Sequence, residues 1–515
     1  MEEMRGTLLS AFLLAALHLG GAAPEGPYPA GPAREGFHRA WLAQEGPHPA
    51  GPAQTDTRQA AVENGLTTLL RIRDQEPERY TLRDRMEHYR VPGVSLAVVE
   101  GGAIAWVGAY GVVEVGTAEP VTPETLFQAA SISKPVAALA ALRLVEEGVL
   151  ELDAPVNRYL QEWQIPDNGF TAARPVTLRH LLTHTGGLTV HGFPGYAAGL
   201  PLPSVLDILD GASPANTRPV LVDTLPGSLW RYSGGGYTIL QKVLEDVTGK
   251  PFPALLRELV LDPAGMTLSS YDQPLTPERQ RYASKGHLAA GTPVVGGWHL
   301  YPEMAAAGLW TSASELARLA LEVQAAWRGE PGRSVSPEMA RAMLPPGMGG
   351  WGLGFTIMEE GAPRFAHGGS NHGFQAQFMA FRGEGRGVMV MTNGDQGSRL
   401  AQEIVQAVAE VHGWPVPGPR EVEVASLSQE LLARVAGHYS VDLPGRTVAV
   451  AVEVAGDRLR IRTGEGTPAE DFFPLSETRF VELSSGEEVE VVLDGEGRVV
   501  ELVLARGLRA RRVEG

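Results

Sequence analysis

Ser131 and Lys134 stand three residues apart, at the head of the apolar, helix-forming run Val136 to Val145. Positions i and i+3 share one face of a helix, so this spacing brings the Lys134 amine to the Ser131 hydroxyl. A serine alone is a weak nucleophile, and a desolvated lysine can lose its proton and serve as its base. A helix start adds backbone N–H groups and partial positive charge, which suit an oxyanion. The chain has four lysines (134, 242, 250 and 285) among 43 Lys and Arg residues. A sequence this poor in lysine nevertheless places one here, where arginine could not deprotonate.

Two further stretches belong with this pair. Pro226 to Tyr237 contains Tyr232-Ser233-Gly234, about 100 residues after Ser131, and Phe365 to Ser370 contains His367-Gly368-Gly369-Ser370. With Leu181 to Leu188, Leu261 to Met266 and Trp351 to Phe355, they resemble the penicillin-binding-protein and class C beta-lactamase-like serine hydrolases. That superfamily includes D,D-carboxypeptidases, D-amino-acid peptidases, esterases and beta-lactamases. The resemblance runs from about Val91 to Asn393. It implies Ser131 as nucleophile and a general-base role shared by Lys134 and Tyr232. Tyr232 would then protonate the leaving group, with its pKa held down by the Lys134 charge. It also implies His367, Gly368 and Gly369 in place of a Lys-Thr-Gly strand motif, and backbone N–H groups of Ser131 and Ser370 as the oxyanion hole. Gly234 replaces an asparagine that helps hold a substrate amide. His367 replaces a permanently charged lysine, and with an ordinary pKa near ~6.5 it would gate carboxylate recognition by pH.

The expected function is an acyl-enzyme serine hydrolase, foremost a peptidase of the D-amino-acid or D,D-peptidase type. A carboxylesterase or weak beta-lactamase is the alternative, and a non-catalytic wall-binding sensor a third reading. The substrate is a small molecule or peptide, and no cofactor or metal is required. His180-x-x-x-His184 has zinc-helix spacing, but Leu181 stands where a catalytic glutamate would be needed. Gly234-Gly-Gly236 lacks the Gly-Lys-Ser/Thr of a phosphate loop.

The elements that position these residues are legible in outline. Val91 to Val99 and Ala103 to Tyr110 read as a hairpin around Gly101-Gly102. Helical patterns dominate from 135 to about 325, including Thr177 to His184, Tyr237 to Val247 and Ala313 to Trp327. Strands return near 354–358, 374–381 and 387–392. The fold class is therefore α+β, a sheet flanked by helices and drawing strands from both ends of the domain, with an all-helical lobe between; the resemblance implies that this sheet is antiparallel and transpeptidase-like. After Pro415 to Pro419 the pattern changes to alternating strands with a turn at Asp494 to Gly497, a C-terminal all-β barrel of lipocalin-like type that folds on its own. The domain reading is 1–23 signal peptide, 24–55 Pro/Gly/Ala-rich linker, 56–413 catalytic domain and 425–515 barrel.

Composition sets the remaining bounds. A net charge of −17 argues against a nucleic-acid partner, and the absence of cysteine excludes thiolate catalysis and disulfides. Leu8 to Leu19 after Arg5 resembles a secretory signal, so a secreted or periplasmic location is expected. The run is too short for a membrane span, and no transmembrane segment is expected. Oligomeric state stays open.

Overall fold

Gly93–Glu100 (β1) is apolar along its length and buried at every residue but the last. Such a run suits a strand covered on both faces. Ala103–Gly111 (β2) alternates in exposure, as an edge strand does. The computed structural model describes residues 57–443, 446–464, 467, 469–504 and 507–513, so the expected signal peptide and linker lie outside the described residues. Those residues divide into two compact units, 90–401 and 57–89 with 402–513.

In the first unit, β1 and β2 join Thr356–Met358 (β3), Arg364–Asn371 (β4), Phe374–Phe381 (β5) and Gly387–Thr392 (β6). The six strands form one antiparallel sheet in the order β2-β1-β6-β5-β4-β3. One sheet does take strands from both ends of the unit. The segment carrying His367 to Ser370 is itself a strand, β4, as the resemblance implied.

The helices lie mainly between these two groups of strands. Ser133–Glu146 (α1) is apolar on nearly all sides, because it is the central helix and most of its residues are buried. It packs against Gly234–Thr248 (α2) and the four-residue helix Met304–Ala307 (α3). The α2 start is capped by Ser233, whose Oγ accepts from Gly236 N–H, and Gly249 closes its end at φ 65°. Ala313–Trp327 (α4) covers β1, β2 and β6. The helix expected over 177–184 is shorter, Leu178–Leu182. It stops because His184 takes a left-handed conformation, φ 57°.

The second unit contains a closed eight-stranded meander from Gly437–Leu443 to Arg509–Arg512, the last strand pairing back on the first. Its lumen is filled by side chains such as Tyr439, Leu459, Ile461, Phe480 and Leu502. Residues 57–89, read from sequence as part of the catalytic domain, group with this barrel instead. Leu70–Ile72 pairs in parallel with Arg420–Val422, and Leu70 N–H donates to Leu483 O at 2.8 Å. Arg85 grips Glu403 with two hydrogen bonds of 2.7 and 2.6 Å, and also donates to Ser484 Oγ. Tyr89 donates to the same carboxylate. Both charged side chains are buried. No local pattern announces such long-range pairing.

Removing one partner of a buried ion pair strands the other charge. Glu403→Ala should destabilise this unit by about 3–5 kcal/mol. Urea-dependent hydrogen exchange of barrel peptides measures this, and exchange unchanged from wild type would show that the pair contributes nothing.

Candidate active site

Ser131 lies in a tight turn, Ala130–Ile132, that leads directly into α1. Ala130 is held at φ 50°, a conformation costly for a residue with a Cβ. Ser133 fixes the turn: its Oγ donates to Ala130 O at 2.5 Å and accepts from Leu309 N–H at 2.9 Å. Ser131 stays partly exposed while its neighbours are buried.

The next turn of the helix delivers Lys134. Its Nζ lies 3.0 Å from Ser131 Oγ and donates to Ala306 O, in α3, at 2.8 Å. It is 2% exposed and forms no ion pair among the described residues. Burial without a counter-charge lowers its pKa to about 7. When neutral, the amine can donate to Ala306 O and turn its lone pair to the Ser131 hydroxyl.

Tyr232, just before α2, completes the group. Lys134 Nζ lies 4.9 Å from its ring centroid, and its hydroxyl reaches Ser131. Burial raises its pKa well above the usual phenol range, and the Ser131 hydrogen bond opposes this only in part. The expected depression of that pKa by Lys134 is not found, because the amine itself sits in a desolvated place and is easily neutral. Tyr232 is therefore a phenol and a proton donor.

β4 supplies the opposite wall. A Cβ on Gly369 would run into the Ala129 carbonyl, so only glycine lets the strand approach the Ser131 turn this closely. Asn371 and Phe374 close a two-residue turn, which puts Ser370 and Gln375 at the next, non-hydrogen-bonded pair. The Ser370 N–H thus points away from β5. Its hydroxyl accepts from Gln375 Nε2 at 3.0 Å. Gly368 contributes its carbonyl, which accepts from His367 Nδ1–H at 2.6 Å.

Burial works against the expectation of a charged, pH-gating His367, although this bond alone would favour the charged ring. With the proton on Nδ1, Nε2 is left as an acceptor, and it has no partner among the described residues. The ring is 3% exposed. Burial, then the Lys134 charge, lowers its pKa to about 3, so it is neutral throughout the physiological range.

Sequence reasoning missed the role of His184 as a neighbour of the site. Its ring lies 4.3 Å from the Tyr232 ring, and its Nδ1 accepts from Ser233 N–H at 3.1 Å. Burial, followed by Lys134 and His367, holds its pKa well below normal. Trp351 packs on His184, Tyr232 and His367. The signal was present in the Leu-Thr-His-Thr-Gly-Gly motif, but there it read as helix spacing. His180 instead accepts from Thr177 N–H, and the described residues hold no group of acidic or histidine side chains arranged for a metal.

The sequence pattern of the family described as Beta-lactamase matches residues 79–412, well over half the chain. The chain belongs to the beta-lactamase family. It is a serine hydrolase of the beta-lactamase and penicillin-binding-protein type. Esterase EstB of Burkholderia gladioli is 35% identical over 219 residues, which cover 41% of this chain and 54% of EstB, about half its length. Penicillin-binding protein 4 of Amycolatopsis lactamdurans is 28% identical over 67% of this chain and 93% of its own. Among solved structures, the octameric penicillin-binding protein homologue from Pyrococcus abyssi is 26% identical, with a TM-score of 0.57 over 83% of this chain and 98% of its own. In this beta-lactamase-family chain no helix among the described residues is long and apolar enough to cross a membrane.

Two pH behaviours follow. A lowered lysine pKa means a charged amine below it and a free base above, so kcat/KM for a neutral ester should rise with pH through about 7. Lys134→Arg keeps the charge and loses the base, and kcat/KM should fall roughly 10²–10⁴-fold. Turnover of a carboxylate-bearing ester relative to a neutral one should stay flat between pH 5.5 and 8, since His367 remains neutral above about 3. A ratio that climbs as pH falls would show a charged histidine facing the substrate.

Proposed function

We propose that this chain hydrolyses neutral carboxylic esters through an acyl-enzyme on Ser131. The observation that carries the reading is the buried, unpaired Lys134 amine 3.0 Å from Ser131 Oγ. Neutral Lys134 takes the Ser131 proton as Oγ attacks the ester carbonyl. The N–H groups of Ser131 and Ser370 hold the developing oxyanion. Tyr232 gives its proton to the departing alkoxide and regains one from the Lys134 ammonium. Water then attacks the acyl-enzyme by the same proton route in reverse, and Ser131 leaves protonated.

Two features favour an ester over the peptidase anticipated from sequence. No side-chain amide stands at Gly234, and His367 offers a lone pair rather than a positive charge. The similarity to an esterase supports the same choice. A D-amino-acid-type peptidase is the second reading, supported by the similarity to a penicillin-binding protein.

Intact-mass measurement after a fluorophosphonate probe should show one adduct, absent in Ser131→Ala. In side-by-side kinetics, p-nitrophenyl esters should exceed D-amino-acid p-nitroanilides and a chromogenic beta-lactam in kcat/KM. Tyr232→Phe should lose activity about as severely as Lys134→Arg. An adduct that survives Ser131→Ala ends the mechanism; anilides turned over faster than esters favour the peptidase.

A further inference from the structure

Gly234 lacks a side chain, yet the space beyond it is not empty. A Cβ there would lie 2.8 Å from Phe193 Cε2 and 3.1 Å from the His191 carbonyl oxygen. The segment that brings Phe193 to this place is tied along the backbone that carries Tyr232. Gly234 N–H donates to His191 O at 3.1 Å and Gly235 N–H to Val190 O at 3.0 Å. Ser233 Oγ donates to Thr189 O at 2.9 Å, and His191 Nδ1–H to Tyr232 O at 2.6 Å. Four hydrogen bonds over residues 189–191 and 232–235 fix the Phe193 ring against the first turn of α2, two residues past Tyr232. One part of the ring packs on the core while the rest stays exposed.

We propose that Phe193 is the specificity-determining residue of this site. Its ring occupies the volume that an amide side chain at position 234 would need, and it puts an apolar wall where that amide would hydrogen-bond the substrate. The group of the substrate that lies against α2 is therefore uncharged and apolar, and the ring limits its length. The chemistry nearby agrees. Gly235 and Gly236 face Val220 and Leu188. Burial keeps the rings of His184 and His367 beside Tyr232 neutral, and the Arg231 guanidinium is already paired with Asp223. An apolar wall separates substrates by chain length, roughly 10–200-fold per methylene. A polar one separates them by hydrogen bonding.

This inference rests on the ester reading, and the experiment separates the two. One series of p-nitrophenyl esters, acetate to octanoate, varies the acyl group. A second series of acetate esters, of ethanol to octanol and followed by pH-stat, varies the alcohol. In Phe193→Ala the long-to-short ratio of kcat/KM should rise by on the order of tenfold or more in one series. Phe193→Leu and Phe193→Trp should move that ratio in opposite directions, which keeps the test intact if the alanine variant does not fold. Ratios unchanged to within about twofold in both series, with turnover still dependent on Ser131, would overturn the role of Phe193 alone. D-Amino-acid p-nitroanilides turned over faster than every ester in both series would instead overturn the ester reading.

Discussion

A lysine amine with no counter-charge, enclosed in a protein interior, is the constraint on which the rest of this site depends. Moving the Lys134 pKa from 10.5 to about 7 corresponds to roughly 5 kcal/mol of penalty on the ammonium form. A surface lysine three residues from a serine would have the same spacing and none of the reactivity. The fold supplies the burial through α1, which is apolar on nearly all sides, and through α3, which offers a carbonyl and no carboxylate. A carboxylate in place of the Ala306 carbonyl would stabilise the ammonium and remove the base.

The surroundings keep the amine neutral in the same way. His184 and His367 flank Tyr232, and each is held in one tautomer by a single backbone contact. Ser233 N–H fixes the His184 proton on Nε2, and Gly368 O fixes the His367 proton on Nδ1. Both rings are uncharged because they are buried, and the Nε2 of each has no hydrogen-bond partner among the described residues. The tyrosine between them stays a phenol for the same reason. One physical cause, desolvation, therefore assigns the proposed base and the proposed acid together.

Much of this was legible from residue types. The Ser131–Lys134 spacing, the apolar run after it and the two glycines of β4 each carry a local requirement that only certain residues meet. The sheet and the closed barrel followed from strand alternation, and the antiparallel character of the sheet from the resemblance. Other features depend on which segments meet in space. The charge state of His367 could not be read from its identity, because a histidine on a strand titrates near ~6.5 unless it is buried. The filling of the space beside Gly234 by Phe193, some forty residues earlier in the chain, leaves no trace in spacing. The membership of residues 57–89 in the barrel unit was hidden as well. It rests on a three-residue parallel pair, the buried Arg85–Glu403 ion pair and more exposed pairs such as Arg71–Glu410 and Arg79–Glu410, all of very long sequence separation.

That membership has a consequence for the order in which the molecule can be assembled. The barrel unit is written in two pieces, with the whole of residues 90–401 between them. Arg85 leaves the ribosome 318 residues before Glu403. At about 5–20 residues per second, the delay is on the order of tens of seconds. Residues 90–401, including Ser131, Lys134, Tyr232 and every strand of the six-stranded sheet, emerge entirely within that interval. The guanidinium that ends up buried spends it in water, where its charge is well solvated. The catalytic unit is thus complete as a chain when less than a quarter of the other unit has been made, and the ion pair can close only afterwards.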